Sequence, residues 1–133
     1  MRRGFEVRTP AHACLVDVTS QVAGLVSQSG IKEGICCVFV PHTTAAITIN
    51  ENADPTVRSD IIREMDKVVP WDDHYEHAEG NAAAHIKASM FGSSETIIVD
   101  GGRLQLGTWQ GIYLAEFDGP RTRKVWVRML PEK

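Results

Sequence analysis

Apolar and polar positions change their period several times along the chain, and each change marks an element. Phe5-Glu6-Val7-Arg8 alternates as a half-buried strand does, and Cys14-Leu15-Val16-Asp17-Val18 reads as a second strand. Val22, Leu25 and Val26 then recur at helical spacing, so Thr19-Ser20 opens a short helix that Gly30 is placed to end. The runs Ile35 to Val40 and Ala45 to Ile49 predict two more strands, joined by Pro41-His42-Thr43-Thr44. A stronger helix begins at Asp54-Pro55, with Asp54 as its cap and Val57, Ile61, Ile62, Met65 and Val68 along one side. Gly80-Asn81 opens a third helix through Ala88, which Gly92 stops. Three strands close the pattern: Thr96 to Val99, Trp109 to Phe117 and Lys124 to Leu130. The last two form a predicted hairpin through Asp118-Gly119-Pro120.

The order β-β-α-β-β-α-α-β-β-β predicts an α+β fold, with antiparallel sheet and helices segregated from it. At 133 residues, the chain is expected to be one domain, residues 1–133, whose sheet leaves apolar surface for a partner subunit. Hydrophobic residues at 43% and charged residues at 23% exclude disorder and fibrous repeats. A formal net charge of −3 gives no electrostatic case for binding nucleic acid. No apolar run approaches the roughly 20 residues that span a bilayer, and Met1-Arg2-Arg3-Gly4 lacks the apolar core of a signal peptide. Cys14, Cys36 and Cys37 have neither zinc-knuckle nor redox-dithiol spacing and read as small buried hydrophobes. A cytoplasmic location is expected.

Three segments carry candidate chemistry. In the first, His42, Thr43 and Thr44 end one strand, while Glu51 and Asp54 follow the next. If those strands form a hairpin, His42 and Glu51 stand some 17–20 Å apart, so a site using both needs another segment or subunit. In the second, Asn81 and His85 are four apart and share a helix face, with His77 in the loop before them. Imidazoles and a nearby carboxylate suit an open transition-metal site, and the helix start suits an anion such as phosphate. In the third, Gly107-Thr108-Trp109-Gln110 offers an aromatic ring and an amide, and Arg121 offers a clamp for phosphate. A tryptophan in a strand ordinarily packs in the core, so Trp109 is expected there. No Ser-His-Asp order, Walker-type loop or dinucleotide fingerprint is present.

These stretches resemble the YjbQ family, small proteins also described as secondary thiamine-phosphate synthases. The matching residues are His42 to Pro55, then His77 with Glu79-Gly80-Asn81 and His85, then Gly107-Thr108-Trp109-Gln110, and finally Glu116 to Arg121. The resemblance implies a two-sheet, mostly antiparallel β-sandwich with helices, assembled as a homotrimer. It also implies an enzyme that joins hydroxymethylpyrimidine diphosphate to a thiazole phosphate and releases pyrophosphate. On that reading Glu51 and Asp54 are candidate catalytic acids, and Thr43, Thr44, Asn81, Gln110 and Arg121 bind a phosphorylated substrate. His42, His77 and His85 are then the candidate ligands of a divalent metal, either zinc or magnesium. Two alternatives draw on the same residues: a metal-dependent hydrolase of a phosphorylated small molecule, and a trimeric ligand-binding protein without turnover.

Overall fold

The computed structural model describes residues 3–133, so the polar start read at Met1 and Arg2 lies outside it. Its elements are β1 (Arg3–Arg8), β2 (Cys14–Asp17), α1 (Thr19–Ser29), β3 (Gly34–Phe39), β4 (Ala45–Glu51), α2 (Pro55–Val68), α3 (Ala82–Phe91), β5 (Ser94–Asp100), β6 (Arg103–Leu104), β7 (Gln110–Glu116) and β8 (Thr122–Pro131). They build two antiparallel sheets. The larger has the order β1-β8-β3-β5-β6 and the smaller β2-β7-β4. This is the α+β fold that the element order predicts, with one strand more. Two residues are too few for β6 to show a period.

Local chemistry sets the helix ends. Asp54 caps α2, its carboxylate accepting from the Thr56 N–H at 2.9 Å and the Thr56 hydroxyl at 2.7 Å, with Pro55 in the first turn. Gly30 ends α1 at φ 75°, a left-handed turn that a side chain would strain. Asp17 opens α1 through the Thr19 N–H and hydroxyl. Asp54→Ala is expected to lower Tm by about 3–5 °C in a thermal scan, while Asp54→Asn, which still caps, leaves it nearly unchanged.

The predicted hairpin of the last two strands does not form, and β3 and β4 do not pair as one either. β3 lies in the large sheet between β8 and β5, whereas β4 pairs with β7 in the small one. Likewise β7 and β8 occupy different sheets, and residues 117–121 carry the chain between them. Burial gives the reason. Every position of β7 after Gln110 is buried, which requires cover on both faces, whereas β3 and β8 largely alternate and so suit a sheet with one open face. One core lies between the sheets. There Cys36, Val38, Val125 and Val127 meet Ile47, Ile112 and Leu114, and Val18, Val22 and Val26 close the edge. A second core lies on the other face of the small sheet. In it Ala46, Ala115 and Phe117 pack against Ala84 and Ala88 of α3, with Ile62 of α2 and Phe91 alongside.

The other face of the large sheet is left open. Ile35 (39%), Ile98 (63%) and Leu130 (50%) are exposed there, adjacent in register across β5, β3 and β8, with Phe39 (38%) at the far end of β3. No helix of the described residues is long and apolar enough to cross a membrane.

Candidate active site

A cavity of about 450 Å³ opens where residues 117–121 leave the small sheet. Thr43 and Thr44 enter it from the segment before β4, and Asn81 and His85 from the first turns of α3. Trp71, His77 and Glu79 come from the loop between α2 and α3, and Asp118 and Arg121 from the crossing between sheets. Six of these nine were legible as candidates in the sequence; Trp71, Glu79 and Asp118 complete the wall. A larger groove of about 670 Å³ beside the end of α1 mixes Arg3, Lys32 and Arg128 with Glu33 and Glu132, and it gathers no histidine.

Hydrogen bonds orient the polar wall. Asn81 Nδ2 donates to Asp118 Oδ2 at 2.8 Å, and Arg121 Nε donates to the Asp118 carbonyl at 2.9 Å. A carboxylate only accepts, so the amide of Asn81 cannot be turned round, and its Oδ1 is left buried without a partner. Arg121 also reaches Asp118 Oδ2 at 3.3 Å, yet its side chain stays 52% exposed and able to meet an anion. The His77 and His85 rings stand edge to face with centroids 5.1 Å apart. His77 Nε2 lies 3.9 Å from Glu79 Oε1, beyond hydrogen-bonding range.

His42 is placed differently. Its Nε2 accepts the Lys124 N–H at 2.8 Å, which ties the segment before β4 to β8 and uses that lone pair. It does not line the cavity. Among the described residues, no three His, Cys, Asp or Glu side chains gather closely enough to hold a metal ion. Burial, with Arg123 next and Lys124 and Arg121 adding to it, holds the His42 imidazole below its ordinary pKa despite the opposing Glu116. The unfolded chain therefore takes up more protons as pH falls through about 6.5, and stability falls with it. The contribution is complete above that pH. His42→Gln, which keeps an acceptor but does not titrate, is expected to flatten the dependence of Tm on pH between about 7 and 5.

Glu51, Asp54 and Gln110 lie at the opposite end of the small sheet. Glu51 and Gln110 are register partners at the end of β4, roughly 20 Å from Thr44 for a strand of this length. Glu51 Oε2 accepts the Ala53 N–H at 2.9 Å, and Gln110 Oε1 accepts the Gly107 N–H at 2.8 Å. Trp109 is not in the core. It sits in the turn before β7, 63% exposed, with its carbonyl held by the Asn52 N–H at 2.9 Å. Gly111 leaves no room for a side chain, since a Cβ there would lie 2.7 Å from that of Asn52.

Comparison with known proteins finds relatives along almost the whole chain. A family model described as "UPF0047 protein YjbQ-like" matches residues 3–132. "UPF0047 protein YugU" of Bacillus subtilis is 47% identical over 131 residues, covering 98% of this chain and 99% of its own. A UPF0047 protein of Methanocaldococcus jannaschii is 48% identical over 129 residues, with 97% and 94% covered. Among solved structures, an uncharacterized conserved protein of Clostridium acetobutylicum superposes with a TM-score of 0.95 at 52% identity, covering 96% of this chain and 99% of that one. A hypothetical protein of Aeropyrum pernix gives 0.94 at 39% identity, with 99% of each chain covered.

Proposed function

The chain belongs to the YjbQ-like UPF0047 family, and on that premise we propose that it acts as a thiamine-phosphate synthase, with the cavity beside α3 as its site. The observation that carries the reading is the convergence of Arg121, Thr43, Thr44 and the start of α3 on one cavity, which His77 and His85 also line. Such donors suit a phosphorylated substrate. In the reaction, the thiazole nitrogen forms a bond to the pyrimidine methylene carbon. The bond from that carbon to the diphosphate oxygen breaks, and pyrophosphate leaves with the electron pair. Arg121 and the helix start would stabilise charge on the leaving group, which this reaction needs more than a strong base.

His77 and His85 would supply only two of the ligands that a divalent metal needs, short of the three that do not gather among the described residues, and imidazoles suit zinc better than magnesium. His42 would join them only by giving up the Lys124 N–H. A metal held there would supply Lewis-acid charge. Glu51, Asp54 and Gln110, a strand length away, would act at a junction with a neighbouring subunit. The open apolar face of the large sheet supports the homotrimer that such a junction needs. A cytoplasmic location belongs to the same reading.

The test is pyrophosphate release by the purified full-length chain, with light scattering on the same sample. Release only when both substrates are present, from a particle of three chains, is the expected result. Phosphate released from one substrate alone would favour the hydrolase, and binding without turnover the ligand-binding protein. A monomeric mass at micromolar concentration would overturn the trimer.

A further inference from the structure

Three residues that line the cavity, Thr44, Asp118 and Arg121, hang from an ion pair that does not line it. Glu116 ends β7 in the small sheet, and Arg123 stands near the start of β8 in the large one. Both are buried, at 0% and 3% exposure. Glu116 Oε1 accepts from Arg123 Nε at 2.8 Å and from the Thr9 hydroxyl at 2.9 Å. Its Oε2 accepts from Arg123 Nη2 and from the Asp118 N–H, the latter at 2.9 Å. Arg123 Nη2 also donates to the Thr44 carbonyl at 3.2 Å and to its hydroxyl oxygen at 2.8 Å. Thr9 Oγ1 in turn accepts the Arg121 N–H at 2.9 Å. Gly119, between Asp118 and Arg121, packs so closely on the Ala11 carbonyl, and on Glu116 and Thr9, that a side chain has no room there.

Two charges taken out of water cost about as much as their attraction returns, and an apolar pair would join the sheets as well. An apolar pair could not give direction to Thr44, Asp118 and Arg121. We infer that Glu116 and Arg123 are positioning residues, which touch no ligand but set these three groups in the geometry that lets the cavity hold an anion. The inference rests on the phosphate-binding reading of the cavity. With its oxygen occupied by Arg123, the Thr44 hydroxyl is left to act as a donor.

The test replaces both partners at once, in the full chain, as Glu116→Leu with Arg123→Met. Tm is expected to stay within a few degrees of the parent, since neither charge is left unpaired. Amide exchange at Asp118 and Arg121 should accelerate by about a hundredfold while that of Ile112 and Val125 in the core holds, because only the first two lose their acceptor or its support. Affinity for inorganic pyrophosphate, by calorimetry, should fall at least tenfold. Unchanged exchange at both amides overturns the inference, whether or not the parent binds pyrophosphate. A parent that binds none overturns the phosphate reading instead. If the double variant does not fold, Glu116→Gln decides. It keeps the shape and one acceptor, so a tenfold faster exchange at Asp118 supports positioning, and parental exchange there overturns it.

Discussion

Arg123→Ala is expected to destabilise the protein by about 3–5 kcal/mol, measured by urea denaturation at pH 7, because it leaves the Glu116 carboxylate buried without its guanidinium. The loss should shrink on acidification. In the parent, burial raises the Glu116 pKa, but Arg123, the Asp118 N–H and Thr9 outweigh it and hold the carboxyl below its ordinary value. That contribution is present above the unfolded pKa and lost as pH falls through the folded one. Without Arg123, burial dominates and raises the carboxyl, so the variant loses stability as pH rises instead. The gap between the two proteins should therefore be widest near neutrality and narrow towards pH 4. A gap independent of pH would show that Glu116 is not the group left stranded.

On the proposed synthase reading, the largest effect on activity is expected from Arg121→Ala. Turnover should fall by roughly a hundredfold or more, as for loss of one donor to a developing oxyanion, with weaker binding of inorganic pyrophosphate. Tm should change little, because the side chain is half exposed and its bonds to Asp118 lie at the surface. Near-parental turnover would remove Arg121 from the mechanism. Glu51→Gln gives the matching measurement at the far end of the sheet. A comparable fall there, in a particle of three chains, would place the carboxylate at a neighbour's cavity. A normal rate would leave it as the acceptor for Ala53 that the isolated chain shows.

Where the sequence was explicit, local chemistry made it so. Asp54-Pro55 and Gly30 announce their helix ends, and the spacing of Asn81 and His85 announces a shared face, because each depends on neighbours within one turn. The division into two sheets was visible only as a contrast: continuous burial through Ile112-Tyr113-Leu114-Ala115 against alternation in β8. Proximity along the chain outweighed that contrast and suggested a hairpin for the last two strands. Asp118 as the partner of Asn81, across 37 residues, had no local signal at all. Nor did the burial of Glu116, since a glutamate beside a turn reads as solvated until its arginine is found on another sheet. Trp109 inverted its expectation because its turn precedes the strand instead of belonging to it.

β8 comes after every other strand in chain order, yet it lies inside the large sheet, between β1 and β3. Arg3 pairs with Val127 and Gly34 with Pro131, so the first and third strands wait for partners that lie far along the chain. The entropy of closing such loops grows only slowly with length, so the cost falls on speed more than on final stability. A nascent chain that has not yet released residues 122–131 holds β1 and β3 without their shared neighbour and lacks Arg123 to neutralise Glu116. β3 can pair with β5 beforehand, but completion of the large sheet is deferred until synthesis has passed β8, and until then the open edges of β1 and β3 are exposed to pairing with the wrong partner.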